Sequence, residues 1–175
     1  PNGIRSVYDE GKRFGEAMPK ERFNLFDEFI QEVEQVPNVR LAIVSSGSEI
    51  YIRPAMERSK LKTTHILNFE DHHSKVTKIE RVCKDWGVGI KDIYYFTDTK
   101  ADIFEIEHFV DRSKIIGCAW GYLGKEELES VLPRQQILEN YADIHRLYGK
   151  TMHVGGVDPA GGGVNSHYIT GEFWS

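Results

Sequence analysis

Short apolar runs that end in small polar residues, each followed by a stretch with helical spacing, set the tightest limit on what this chain can fold into. Val39-Arg40-Leu41-Ala42-Ile43-Val44 is nearly continuous in apolar character and ends in Ser45-Ser46-Gly47-Ser48. That composition suits a strand buried on both faces, as in parallel sheets. A helix is expected from Glu49 to about Ser59, with Pro54 in its first turn or at a kink. Ile66-Leu67-Asn68-Phe69 is a short strand candidate, and Lys75 to Trp86 shows helical spacing through Val76, Ile79, Val82, Cys83 and Trp86. Ile93-Tyr94-Tyr95-Phe96 is strongly β-prone, Ala101 to Val110 is helical, and Lys114 to Ala119 reads as a strand. Glu126 to Leu132 and Asn140 to Tyr148 are expected as helices, with Gln136-Ile137-Leu138 a short edge strand between them. Upstream, Phe23, Phe26, Phe29, Ile30, Val33 and Val36 fall on one face of a helix over Glu21 to Val36. Strands alternating with helices predict an α/β fold: a parallel sheet with helices on both faces and right-handed crossovers. Ligands in such folds bind beyond the carboxyl ends of the strands.

Composition narrows the class. The 175 residues, 40% hydrophobic and 28% charged, suit one soluble globular domain. No apolar run approaches the ~20 residues that span a bilayer, so a helical membrane protein is excluded. Cys83 and Cys118 are too few and too far apart for a disulfide framework or a zinc cluster, which makes a reducing cytoplasm the expected compartment. Lys and Arg number 22 against 27 Asp and Glu, and that acidic balance weighs against non-specific nucleic-acid binding. The start, Pro1-Asn2-Gly3-Ile4-Arg5, has neither a methionine nor a secretory pattern. Residues 1–150 are expected to form the domain, with 1–20 a cap remnant or linker. Residues 151–175 stand apart, because His153 to Gly163 holds five of the 16 glycines.

Two strand ends and one helix start carry the candidate chemistry. Ser45, at the end of the first strand, can donate to an anion held at the following helix N-terminus, with Ser46 and Gly47 beside it. The competing role is a plain helix cap at Ser46 or Ser48. Asp98 and Asp102 lie four residues apart, one at a strand end and one in the next helix's first turn, so both carboxylates can converge on one spot. Hard oxygen donors of this kind suit Mg²⁺; capping and helix-dipole roles are the alternatives. Lys75 opens the helix before that strand and can neutralise a phosphate or a nucleophilic carboxylate, with Lys78 one turn later as its competitor and a solvated helix-surface lysine as the plain alternative.

The order of these features, Ser45, then Lys75, then Asp98 23 residues on and Asp102 four further, resembles motifs two to four of the haloacid dehalogenase (HAD) superfamily. Ala119-Trp120-Gly121-Tyr122 with Gly124 to Leu128, and Tyr141-Ala142-Asp143-Ile144, resemble the later segments of its phosphoglycolate-phosphatase-like branch. The resemblance implies a three-layer Rossmann-like HAD fold with a minimal cap or none. It further implies hydrolysis of a small phosphorylated substrate with Mg²⁺ as cofactor. On that basis Ser45 binds phosphate, Lys75 stabilises the charge, and Asp98 and Asp102 hold the metal. Thr97 departs from the pattern, where the family commonly has glycine.

The family's nucleophile is an aspartate at the end of its first, central strand, attacking phosphorus to give an aspartyl-phosphate. No apolar strand followed by Asp-x-Asp precedes Ser45, and Asp9-Glu10 follows a segment that reads as helix. Three readings are open: a first strand belonging to a longer parent chain, a non-catalytic HAD-like binding or scaffold domain, or a circular permutation. In the last, Thr151 to Val157 would be the first strand and Asp158 the nucleophile, since Asp158-Pro159-Ala160-Gly161 resembles the phosphonoacetaldehyde-hydrolase variant of motif one. Gly155-Gly156 weakens that strand, and the plain alternative is a Gly-rich tail.

Other residues invite weaker readings. His72-His73 lacks a third ligand at a diagnostic spacing. Arg53 and Arg58 suit either an anionic substrate or a solvated helix face, while Trp120 and Tyr122 suit either a cleft wall or the core.

Overall fold

The computed structural model describes residues 28, 31–32, 40–58, 63, 65–121, 124–144 and 167–170, the last four by their backbone alone. Among them lie β1 (Arg40–Val44), α1 (Glu49–Arg58), β2 (Ile66–Leu67), α2 (Lys75–Trp86) and β3 (Tyr94–Thr97). Then come α3 (Lys100–Ile106), β4 (Ile115–Cys118), α4 (Gly124–Glu129), β5 (Ile137–Leu138) and β6 (His167–Thr170). The strands form one six-stranded sheet in the order β2-β1-β6-β3-β4-β5. Every pairing in it is parallel. The chain therefore has an α/β fold built on a parallel sheet.

Buried β-branched and aromatic side chains explain the central strands. Ala42, Ile43 and Val44 of β1, Tyr95 and Phe96 of β3, and Ile115 and Ile116 of β4 are all fully buried. Alternating polar residues would expose one face; these runs have none to expose. Helix α2 covers part of this core with Val76, Ile79, Val82, Cys83 and Trp86, the spacing of one helix face. Each such side chain contributes about 1.5–3 kcal/mol when fully buried. The helix starts where the Ser74 hydroxyl accepts from the Thr77 amide, and stops at Gly87, whose φ of 69° lies in the left-handed region that glycine tolerates.

One local expectation narrows and another changes. Pro54 sits well inside α1, where its missing N–H leaves the helix one bond short toward Ile50. The expected helix over Asn140 to Tyr148 is, in its described part, a 3₁₀ turn at Tyr141–Ile144. The cause is Asp143, whose Oδ2 accepts from the amides of Glu139 and Asn140 at 3.0 Å each and bends the entry into a side-chain-closed turn. Of the expected helix over 21–36, Glu28, Gln31 and Glu32 are helical, and the rest lies outside the described residues.

The centre of the sheet holds an element the sequence pattern does not announce. Strand β6 lies between β1 and β3, and Thr170 is level with both Ile43 and Phe96. Ser45 and Asp98, each two residues further along, thus reach the same height on opposite sides of β6. Two strand spacings set them roughly 10 Å apart. The segment 151–157 and Asp158, expected as a permuted first strand, lie outside the described residues; His167–Thr170 holds the central position.

Candidate active site

The carboxyl edge of the sheet gathers the buried charge of the molecule. Lys75, Lys78, Asp98 and Asp102 are at most 7% exposed, and they are the only charged side chains buried among the described residues. Two ammonium groups are buried along with two carboxylates. Near-neutrality of this kind is what makes such burial tolerable.

Asp102 is the hub on the β3 side. Its Oδ1 accepts from Lys75 Nζ at 2.5 Å, and its Oδ2 accepts from the Thr97 hydroxyl at 2.8 Å and the Tyr95 hydroxyl at 3.4 Å. Thr97 Oγ1 in turn accepts from the Thr99 amide at 3.1 Å, and Thr99 caps α3 by accepting from the Asp102 amide at 3.3 Å. Lys75 is fixed from behind as well, since its backbone N–H donates to Glu105 Oε1 at 2.8 Å. Thr97 does more than set the turn geometry: its hydroxyl orients Asp102. Sequence reasoning gave Tyr95 no role. Its hydroxyl, on a strand residue read only as β-prone, gave no signal.

Asp98 directly follows β3 and is fully buried. The turn after β4 closes over it, with the Gly121 amide donating to the Cys118 carbonyl at 3.2 Å. A Cβ on Gly121 would stand 2.2 Å from Asp98 Cβ and 2.5 Å from Oδ2, so only glycine fits there.

On the β1 side, Ser45 is buried while Ser46 is exposed. The Ser45 amide donates to the Leu67 carbonyl at 2.8 Å, and its hydroxyl oxygen accepts from the Gly47 amide at 2.9 Å. The Phe69 amide donates to the Gly47 carbonyl at 2.9 Å, so the exits of β1 and β2 are tied together. Lys78, buried beside them, donates to the Ser45 carbonyl oxygen and, at 3.4 Å, to that of Asn68. Asn68 is itself buried, and its Oδ1 has no hydrogen-bond partner among the described residues.

The structure thus joins Lys75 directly to Asp102, and places Ser45 and Asp98 level across β6. The carboxylate of Asp102 is engaged by three donors, and Asp98 is a second buried carboxylate at this strand end, a hard oxygen donor of the kind that suits a cation. Mg²⁺ takes one or two carboxylates with waters and phosphate oxygens, so the residues present fit it through Asp98, with Asp102 behind.

The weaker candidates settle elsewhere. His72 Nδ1 accepts from the Ser74 amide, and the His73 ring meets Phe69 edge-on at 4.4 Å. No group of three or more His, Cys, Asp or Glu poised to hold a metal occurs among the described residues. Arg53 pairs with Glu49 on α1, while Tyr122 and the side chain of Arg58 lie outside the described residues. Trp120 packs on Tyr141 at 4.7 Å, where burial, with the Glu28 carboxylate near, pushes the Tyr141 hydroxyl up to about 12. Cys83 and Cys118 are buried thiols; burial drives Cys118 well above its ordinary range, with the Asp98 charge adding to it. A surface cavity of about 230 Å³ near Lys125, Arg134, Ile137 and Glu139 shares no residue with this site. Among the described residues no helix is long and apolar enough to cross a membrane. No family model, no curated protein and no solved structure matches this chain.

Proposed function

We propose that the chain carries the phosphate- and metal-binding half of a Mg²⁺-dependent phosphomonoester hydrolase of the HAD type, with a three-layer Rossmann-like fold. The observation that carries this reading is the Lys75–Asp102 pair at 2.5 Å beside a buried Asp98, level with Ser45 across one strand. A buried arrangement of two lysines and two aspartates is costly as architecture alone, because apolar residues of similar volume fill such space at no electrostatic cost. It is economical if the edge must receive a metal ion and a phosphate dianion together.

In this reading Asp98 ligates Mg²⁺, Ser45 donates its hydroxyl to a phosphoryl oxygen, and Lys75, steered by Asp102, faces the charge that develops on transfer. Mg²⁺, when bound, supplies Lewis acidity and neutralises phosphoryl charge. The nucleophile would be a carboxylate at the end of a central strand: its oxygen forms the bond to phosphorus, the ester oxygen leaves with a proton, and water releases phosphate. No acidic residue lies in His167–Thr170. That carboxylate therefore belongs to residues beyond the described ones or to a longer parent chain whose own strand takes the place of β6. The substrate is a small phosphorylated molecule.

The second reading, a non-catalytic binding or scaffold domain of the same fold, is favoured by the same absence of an acid in the described part of the central strand. The test compares p-nitrophenyl phosphate hydrolysis with and without Mg²⁺ in this chain, in its Asp98→Asn variant, and in a chain with a longer N-terminus. Mg²⁺-dependent turnover abolished by Asp98→Asn supports the hydrolase. Calorimetric Mg²⁺ and phosphate binding without turnover in any form supports the binding domain, and absence of both sinks the two readings together.

A further inference from the structure

Helix α2 sends two ammonium groups, not one, to the site. Lys75 and Lys78 stand one turn apart on its buried face, 2% and 0% exposed. Lys75 reaches the β3 side and meets a carboxylate. Lys78 reaches the β1 side and meets main chain: the carbonyl oxygens of Ser45 and Asn68, the first residues after β1 and β2. A fully buried ammonium is costly, and an apolar side chain would be the ordinary choice at such a position. The carbonyls it binds suggest what it is for.

A peptide unit is planar and trans, so its C=O and N–H point in opposite directions. The Ser45 carbonyl and the Ser46 N–H belong to one such unit. With the carbonyl held by a Lys78 Nζ that no solvent reaches, the Ser46 N–H is fixed on the opposite side of the chain from Lys78. The Ser45 side chain, on the Cα that begins this unit, is held in turn by its hydroxyl oxygen, which accepts from Gly47 N–H at 2.9 Å. Gly47 is confined too, because a Cβ there would meet Ser45 Oγ and Ile52 Cδ1 at 3.2 Å each. One buried cation therefore sets the direction of the donors at the β1 edge, as Asp102 sets that of Lys75 at the β3 edge.

We infer that Lys78 is a positioning residue for anion binding: it pins the Ser45 carbonyl so that the Ser46 amide and the Ser45 hydroxyl face a phosphoryl group together. This rests on the phosphate-binding reading above and extends it to a residue that touches no substrate. The test uses Lys78→Met, which keeps the buried stem and removes the charge and donors, with Lys78→Arg as the conservative variant. Inorganic phosphate binding with Mg²⁺ is followed by calorimetry, p-nitrophenyl phosphate kinetics give KM against kcat, and the Ser46 and Gly47 amide resonances are followed by ¹⁵N NMR. Lys78→Met is expected to weaken phosphate binding and raise KM at least tenfold, with a smaller fall in kcat. The Ser46 and Gly47 resonances should shift, and Lys78→Arg should recover most of the loss. A folded Lys78→Met with unchanged phosphate affinity and unmoved amides overturns the inference. Should Lys78→Met fail to fold, Lys78→Gln takes its place: weakened phosphate binding with moved amides supports the inference, and phosphate affinity equal to that of the unaltered chain overturns it. Where the unaltered chain neither binds phosphate nor turns over ester, the phosphate reading fails, and the amide shifts alone decide whether Lys78 orients this loop.

Discussion

The backbone of Gly121 is pressed against the side chain of Asp98, closely enough that a single added methyl group would come within 2.2 Å of Asp98 Cβ. The turn after β4 and the acid at the end of β3 are therefore one packed unit. What holds the proposed metal ligand in place is the absence of a side chain on the neighbouring strand's exit.

Gly121→Ala should cost about 1–3 kcal/mol through overpacking and displace the carboxylate. Gly117→Ala is the control: its Cβ would meet only the Leu128 and Leu132 methyl ends at 3.2 Å, which can give way. Urea unfolding should rank Gly121→Ala as the more damaging of the two, and Mg²⁺ affinity by calorimetry should fall at least tenfold for Gly121→Ala alone. Equal effects of the two substitutions on Mg²⁺ binding would refute the packing argument.

Breaking the Lys75–Asp102 pair on one side leaves a buried charge uncompensated. Lys75→Met and Asp102→Leu should each cost about 3–5 kcal/mol, while the double variant should regain most of that stability. A double-mutant cycle in urea reads the coupling directly. Additive losses would mean that the pair is more solvated than its burial indicates.

Strand β6 pairs on both sides, so its backbone amides serve the middle of the sheet. Ile169→Pro removes one N–H there and is expected to abolish cooperative thermal unfolding, because proline is tolerated in sheets only at edges and bulges. A sharp melt within a few degrees of the unaltered chain would show that the sheet closes without this strand.

The buried thiols give a prediction on the alkaline side. Burial, with Asp92 and Glu80 adding, raises Cys83 from its ordinary 9.0 to about 11. A folded-state value above the unfolded one means that the stabilisation is whole below pH 9 and is lost as pH rises through about 11. Cys83→Ala should therefore flatten the fall in stability over that interval. At pH 8 neither Cys83 nor Cys118 should react with a disulfide reagent in the native state, and both should react once urea unfolds the chain. Rapid native labelling would count against their burial.

The parallel sheet could be read from the chain because its strands are short, apolar and ended by polar residues: β1, β3 and β4 fall within a residue or two of their expected bounds. The first turn of α2 was equally legible, since Ser74 caps it and Lys75 begins the helix as expected. The hydroxyls that organise Asp102 were not, because Thr97 and Tyr95 look like ordinary strand formers until their partners are brought to them by the fold. Lys78 was marked only as a rival to Lys75; a linear pattern cannot tell that both are buried and go to different strands. Residues 167–170 were missed for another reason. Four residues with two polar members carry no period long enough to separate a central strand from a loop.

Parallel pairing of residue 40 with residue 167 and of residue 94 with residue 168 also bears on how the molecule is made. The strand that joins the two halves of the sheet comes after the other described strands in the chain. During synthesis β1 and β2 on one side, and β3, β4 and β5 on the other, must wait with their inner edges unpaired until it leaves the ribosome. Contacts so distant in sequence close slowly. An open strand edge is a template for another chain. The arrangement predicts a nascent protein that depends on holding factors until β6 arrives, and one whose forms stalled before it stick together.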